Sequence, residues 1–164
     1  MPDNGLTIAP AQDIEFDDYT SLHRLLVTEF AYMDKRIDPP SSMHRLSPEG
    51  LSEKADKEWL ILALQARELV GCVFARPEDG AVYIGKLAVR GDTRGQGVGA
   101  RLLERAEEIA IESDYKTLEL EVRVELTENH RFFMKHGFVK IGENAHEGFS
   151  RSTSFLFSKQ ISAS

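Results

Sequence analysis

The residues best suited to chemistry gather around one run, Arg94-Gly95-Gln96-Gly97-Val98-Gly99-Ala100, just past the middle of the chain. Three glycines alternate there ahead of a segment whose apolar residues Val98, Leu102, Leu103, Ala106, Ile109 and Ala110 share one helical face. A strand, a glycine-rich turn and a helix N-terminus together seat an anion. Backbone N–H groups point into the turn, and the helix dipole adds partial positive charge. Glycine admits positive φ and leaves no Cβ between a ligand and those N–H groups. Lys86, Arg90, Arg94, Arg101 and Arg105 outnumber Asp92 and Glu104 nearby, so phosphate is the expected anion. A second set is acidic. Glu119, Glu121 and Glu125 lie on the polar face of a segment that alternates with Leu118, Leu120, Val122, Val124 and Leu126, where a carboxylate can act as a base through water.

Two phosphate-binding patterns can be weighed directly. A P-loop ends in Gly-Lys-Ser/Thr, and this chain has Gly99-Ala100-Arg101, which excludes it. The dinucleotide pattern G-x-G-x-x-A is met from Gly95 to Ala100. Against it, Arg90 to Arg94 separate the turn from its strand, and too little chain follows for a doubly wound sheet. A nicotinamide-dependent oxidoreductase is therefore an alternative of lower rank.

The elements that must position these groups can be read from periodicity. Leu6 to Ala9 is a short strand, and Asp13 to Met33 carries a helical stripe. Pro39-Pro40 breaks the segment that follows, and Ser47-Pro48-Glu49 reads as a cap opening a short helix toward Lys57. Trp59–Gln65, Leu69–Ala75 and Ala81–Val89 form a meander with turns at Ala66-Arg67-Glu68 and Pro77 to Gly80. The glycine run then opens a helix ending near Ser113, and the Leu118–Leu126 alternation is a strand. Thr127 caps a short helix that stops at His136 before Gly137, and Phe138–Ile141 and Thr153–Lys159 are the last strands. The expectation is one α/β (α+β) domain over residues 1–164, with 1–5 and 161–164 as flexible ends. Its order is β-α-α-β-β-β-α-β-α-β-β, a mixed but mostly antiparallel central sheet flanked by helices.

The whole chain sets bounds on function. Its 164 residues, 41% hydrophobic and 29% charged, suit one globular domain with a real core. No apolar run approaches membrane-spanning length, and MPDNGLTIAP has no basic start followed by an apolar block. The single cysteine, Cys72, has no internal partner, and no His/Cys cluster has metal-ligand spacing. These features lead to the expectation of a cytoplasmic protein with no metal and no membrane partner. A net charge of -7 without a basic run argues against nucleic acid, and the overall field suits a cationic small molecule or basic peptide.

The run from Arg94 resembles the Arg/Gln-x-x-Gly-x-Gly/Ala signature of the GCN5-related N-acetyltransferase family. Tyr83-Ile84-Gly85-Lys86-Leu87-Ala88-Val89 is similar to its central strand, and Asn129 to Phe138 (NHRFFMKHGF) to its asparagine-to-Gly-Phe segment. The resemblance implies an acetyl-coenzyme A-dependent N-acetyltransferase acting on a small-molecule or peptide amine, as a monomer or homodimer. Arg94, Gly95, Gln96, Gly97, Val98, Gly99 and Ala100 would then cradle the pyrophosphate. The backbone of Leu87, Ala88 and Val89 would pair with the pantetheine arm across a gap opened by a bulge, with the Leu87 N–H as oxyanion donor. Asn129 would contact the arm, and Phe132 and Phe133 would pack beside it or simply belong to the core.

Direct attack requires an ammonium to lose its proton, at a cost of about 4–5 kcal/mol at neutral pH, whereas the thiolate needs only about 2 kcal/mol. Many members carry a tyrosine acid where this chain has Phe133, which leaves Tyr83, Tyr32 or water to protonate the thiolate and keeps a non-catalytic acetyl-coenzyme A sensor as an alternative. A glutamate that some members place on the central strand falls on Tyr83 here. Glu121 is the first choice of base. His130 and His136 read as a surface residue and a helix end. The loops Asp34–Leu46 and Glu143–Ser152 offer acceptor contacts in Asp34, Asp38, His44, Arg45, His146 and Arg151, and Tyr32 just before the first loop is a further candidate.

Overall fold

A computed structural model of the chain describes residues 5–40, 46–93 and 95–161, without the side chain of Tyr32. Seven strands form one sheet in the order β1-β2-β3-β4-β5-β7-β6. They are β1 (Leu6–Pro10), β2 (Trp59–Gln65), β3 (Glu68–Glu78), β4 (Ala81–Val89), β5 (Thr117–Arg123), β6 (Val139–Asn144) and β7 (Ser154–Gln160). Only β4 and β5 are parallel, joined by the crossover helix α3 (Val98–Glu112). The other helices are α1 (Tyr19–Asp34), α2 (Pro48–Lys57) and α4 (Thr127–Lys135). The expected order of elements is the observed one.

Alternation along the strands sorts the core into two layers. Leu60, Leu62, Cys72, Phe74 and Ala88 meet Leu22, Leu25 and Leu26 of α1 and Leu51 of α2. Their neighbours Ile61, Ala63, Val70, Val73, Val82 and Ile84 face Val98, Leu102, Leu103 and Ala106 of α3. Leu118, Leu120 and Val122 continue that second layer toward Phe133, Phe138 and Phe157.

Several boundaries differ from the sequence reading for physical reasons. The stripe from Asp13 is not one helix: Ala11–Ile14 is a 3-10 turn closed by Glu15 at φ 51. α1 starts after Asp18, whose carboxylate accepts from the Ser21 N–H at 3.1 Å and hydroxyl at 2.7 Å. The turn between β3 and β4 is Asp79-Gly80, both at positive φ, so Pro77 and Glu78 stay in the strand. β5 ends at Arg123 rather than Leu126, because the Leu126 N–H folds back onto the Arg123 carbonyl at 3.1 Å. This removes Glu125 from the strand face. Thr127 is the first residue of α4, and the N-cap position falls on Leu126, which makes no side-chain capping bond. At the far end, the Ile161 N–H donates to the Lys116 carbonyl at 2.9 Å, so that residue is tied down.

Leu102 has no exposed surface and fixes α3 to the middle of the sheet. Leu102→Ala should lower stability by about 2–5 kcal/mol. Urea denaturation followed by circular dichroism should show an earlier midpoint with an unchanged slope.

Candidate functional site

β4 creates the site by leaving its neighbour. It pairs with β5 only at Val82↔Leu118 and Tyr83↔Glu119. On its other edge the register with β3 slips between Cys72 and Phe74, opposite Lys86, which sits at φ 54. A bulge of this kind bends a strand and increases its twist. Two cavities open in the resulting wedge, of about 550 Å³ and about 740 Å³. Phe30, Met33, Leu87, Asn129 and Phe133 line both, so the two meet beside Leu87.

The smaller cavity joins most of the residues expected to bind a cofactor. Leu87, Ala88 and Val89 form one wall, Gly95 and Gly97 to Ala100 one end, and Asn129, Phe132 and Phe133 of α4 the opposite side. The glycines have different reasons. Gly95 (φ 87) and Gly97 (φ 79) adopt left-handed conformations, with open space where a Cβ would stand. A Cβ on Gly99 would instead meet the Phe132 ring at 3.3 Å, so that glycine lets α3 approach α4. Gly97 precedes α3 without a capping side chain, so the first-turn N–H groups face the cavity end with no cap.

The expected basic surroundings are only partly there. Arg90 is held by Glu68 at 3.0 Å and Asp92 at 2.6 Å, and Arg105 by Glu108 at 3.0 Å. The Gln96 side chain lies outside the cavity and accepts from Gln65 at 3.3 Å. Arg94 is outside the described residues. The sequence reading missed Glu29, Phe30, Met33, Thr93, Lys135 and His136, which complete the lining.

The larger cavity brings Glu121 and Tyr83 together, with His146 and Arg123. Glu121 is held at both oxygens: Ser154 Oγ donates to Oε1 at 2.9 Å and Asn144 Nδ2 to Oε2 at 2.9 Å. Burial, then the Glu121 charge, push the Tyr83 phenol up to about 12, so it keeps its proton at neutral pH. Burial, followed by Arg123, lowers the His146 pKa and favours the neutral ring, whose Nδ1 pairs with the Thr153 hydroxyl. Lys54, Arg76 and Lys86 also line this cavity; Lys86 was expected in the basic surroundings of the glycine turn and lies here instead, while Lys54 and Arg76 were not singled out from the sequence. A lysine amid the apolar residues of β4 was a readable signal for Lys86. Lys54 and Arg76 gave none, because only the fold brings α2 and β3 to this wall.

The first long loop roofs the larger cavity through Pro39 and Pro40. Three arginines hold it there. Arg123 donates to the Pro39 carbonyl and to the Pro40 carbonyl at 3.1 Å. Arg151 bonds Asp38 at 3.3 Å. Arg36 grips Glu128 with two nitrogens and donates to the Glu125 carbonyl at 3.1 Å. Asp38 and Arg151, expected to touch an acceptor, are thus paired with each other and, like Asp34, do not line the cavity. His44 and Arg45 lie outside the described residues, as does the Tyr32 side chain. Among the described residues no group of histidine, cysteine, aspartate or glutamate is disposed to hold a metal, and no helix is long and apolar enough to cross a membrane.

Comparison with known proteins bears on this geometry. Residues 19–138 match the model of the acetyltransferase (GNAT) family. The fold is similar to that of the PaiA N-acetyltransferase from Thermoplasma acidophilum in complex with coenzyme A, at 16% identity and TM-score 0.78, covering 94% of this chain and 98% of that one. It is also similar to the ribosomal-protein-S18-alanine N-acetyltransferase from Escherichia coli, at 17% identity and TM-score 0.71, covering 97% and 96%. A GNAT family acetyltransferase from Elizabethkingia anophelis with acetyl-CoA bound aligns at 21% identity and TM-score 0.68, covering 96% and 99%. At these identities the likeness is one of fold. No curated protein sequence matches the chain.

The Arg36 staple has a titratable signature. The Arg36 guanidinium holds the Glu128 carboxyl down at about 2. Because the folded value lies below the unfolded one, the staple's contribution is present above about pH 4.5 and is lost as pH falls toward 2. Carboxyl NMR should show Glu128 titrating near 2, returning toward about 4.5 in Arg36→Ala.

Proposed function

The chain belongs to the acetyltransferase (GNAT) family, and from that premise we propose that it transfers an acetyl group from acetyl-coenzyme A to a primary amine held in the larger cavity. The carrying observation is the meeting of the two cavities at Leu87, on a strand edge that β5 leaves unpaired. The smaller cavity fits the co-substrate. Its end offers first-turn N–H groups for phosphate, its wall an exposed strand edge for an amide-bearing arm, and Phe132 and Phe133 an apolar side.

Acetyl-coenzyme A supplies the activated acyl carbon, and the rest is done by this chain. Glu121, oriented by Ser154 and Asn144, accepts the proton of the incoming ammonium, directly or through water. The Leu87 N–H, just past the bulge, faces the carbonyl oxygen as negative charge grows there. Direct attack is favoured because the one cysteine of the chain cannot carry the acetyl group. Cys72 is fully buried, and burial pushes its thiol up to about 12. Phe133 fills the place of the family's tyrosine acid, so the departing thiolate meets the Asn129 amide, the one polar side chain among the described residues that line both cavities. The phenol of Tyr83 lines the larger cavity alone, where it stands to position the amine beside Glu121.

Calorimetric titration with acetyl-coenzyme A, with NADH as control, tests the cofactor reading. Binding of acetyl-coenzyme A alone supports it, and binding of NADH in its place overturns it. An amine panel followed by free-thiol release then separates an enzyme from a sensor, which would bind the cofactor and turn over nothing.

Two variants test the residues. Gly97→Glu puts a carboxylate where phosphate would sit and where no protein atom stands within 4 Å of a Cβ. It should abolish acetyl-coenzyme A binding with the circular dichroism spectrum retained, and wild-type affinity would sink the placement. Glu121→Gln should lower kcat by about 10²–10⁴-fold while leaving acetyl-coenzyme A affinity unchanged. A loss confined to KM would remove Glu121 from the role of base.

A further inference from the structure

The proposed reaction has a proton balance that one base does not close. An ammonium gives up two protons on the way to an amide, one before its nitrogen attacks and one after the C–N bond has formed. The junction of the cavities offers the departing sulfur no acid. Among the described residues that line both cavities, Asn129 is the one polar side chain, and an amide donates a hydrogen bond without giving up its proton. With the thiolate leaving unprotonated, the larger cavity has to take both protons. Glu121 accounts for one.

The other titratable groups on that wall narrow to a single residue. Lys54 bonds Glu58 at 2.8 Å and Arg76 bonds Glu78 at 2.7 Å, each as a cation with no lone pair to offer. Arg123 donates to the Pro39 and Pro40 carbonyls. Tyr83 holds its proton. Lys86 would have to shed a proton before it could take one. His146, from the loop between β6 and β7, is left.

Hydrogen bonds around His146 bear on which ring nitrogen is bare. Thr153, with no exposed surface, supplies a hydroxyl that accepts the His146 backbone N–H at 2.8 Å and pairs with Nδ1. That hydroxyl also donates to the Asn144 carbonyl at 3.4 Å. With its one proton so placed, both of its lone pairs face His146, one for the backbone N–H and one for an Nδ1–H. A neutral ring protonated at Nδ1 carries its lone pair at Nε2. Among the described residues nothing bonds Nε2. The same hairpin reaches the first acceptor, since Asn144 gives its side-chain amide to Glu121 at 2.9 Å and its carbonyl to the Thr153 N–H at 2.8 Å. Burial and then the Arg123 charge favour the neutral ring, against the opposing pull of Glu121 and Glu125.

We propose that His146 is the second proton acceptor of the transfer, with its ring protonated at Nδ1 and its Nε2 turned to the amine. This rests on the acetyl-transfer reading above. The ammonium gives its first proton to Glu121, and the freed nitrogen pair forms the C–N bond while the carbonyl π pair moves to the oxygen at the Leu87 N–H. That pair then returns, and the C–S bond breaks with its electrons on sulfur. The nitrogen's second proton passes to Nε2, directly or through one water. Amide, thiolate, protonated Glu121 and imidazolium result, so charge and protons balance. His146 is part-exposed, which lets the imidazolium return its proton to water.

Matched acceptors separate the two protons. Ethylamine and methoxyamine are similar in size, as are benzylamine and phenylhydrazine, but the second of each pair is neutral at pH 7 and skips the first transfer. At saturating acetyl-coenzyme A, free-thiol release should show His146→Gln lowering kcat by about 10²–10⁴-fold for both members of a pair. Glu121→Gln should do so for ethylamine and benzylamine and far less for their partners. Calorimetry should find the acetyl-coenzyme A affinity unchanged in both variants. With methoxyamine, wild-type kcat should fall as pH drops through a His146 pKa below 6.5, and His146→Gln should lack that limb. Nitrogen NMR of the unmodified protein, which needs no variant to fold, should show Nδ1 protonated and Nε2 bare above that limb. A proton on Nε2 overturns the proposal. So does a His146→Gln loss confined to KM, a limb that this variant retains, or a limb that disappears in Lys86→Met instead. Turnover of none of the four amines by protein that binds acetyl-coenzyme A strikes the transfer reading, and this proposal with it.

Discussion

The structure depends on β4 and β5 parting after two residue pairs. β4 is bonded to β3 along most of its length, from Ala81 to Val89, but to β5 only at Val82 and Tyr83. Every N–H and C=O taken out of water needs a partner, so a strand edge left open inside a fold is normally a liability. Here the open edge faces a cleft rather than a packed layer, and in the proposed function the same groups serve as a template for an extended ligand. The bulge at Lys86 keeps the ladder from zipping further. α3 and α4 hold the wedge open from one side of the sheet, through Val98 and Phe133 in the common core. With β5 paired to the end of β4, neither cavity would exist.

Charge is organised on the same plan. Several carboxylates of this acidic chain are paired outside the cleft, as in Glu68 with Arg90 and Glu143 with Lys140. Exposed pairs of this kind contribute little to stability. Their effect on the site is by subtraction, since they leave the cleft to a few fixed groups. Arg36, Arg123 and Arg151 draw the first long loop over the larger cavity using backbone carbonyls as well as acids. A planar guanidinium can grip two acceptors at once, so such a roof has a defined position. Net charge thus describes the solvent-facing surface and says little about the binding wall.

The sequence made local features legible and distant juxtapositions invisible. Strands β2 and β4 were readable residue for residue, because alternation and flanking turns are local signals. The end of β5 was not, because Val124 and Leu126 continue the alternation while the chain has already turned to bond Arg123. The glycine run announced a helix N-terminus, yet one of its three glycines answers to the Phe132 ring, which arrives 33 residues later in the chain. Glu121 could be picked from its strand, but not the Ser154 and Asn144 donors that orient it from β7 and β6. Asp38 and Arg151 looked like acceptor contacts because they are polar loop residues. Only in the fold do they find each other.

The asymmetry between base and acid also has a spatial form. Proton removal from an ammonium is the larger cost, about 4–5 kcal/mol, and the groups able to meet it stand in the larger cavity. Among the described residues the junction is otherwise apolar: Phe30, Met33, Leu87 and Phe133 surround it, with Asn129 as the polar side chain. An ammonium entering such a neck would lose its hydration, whereas a neutral amine crosses at small cost. On the proposed mechanism, deprotonation beside Glu121 comes before the amine reaches the thioester. A thiolate needs only about 2 kcal/mol of help, which a charge-assisted hydrogen bond from one amide can supply without any proton transfer. On this argument Phe133 is no defect in the site. An apolar ring at this place adds to the cost of bringing an ammonium through the neck.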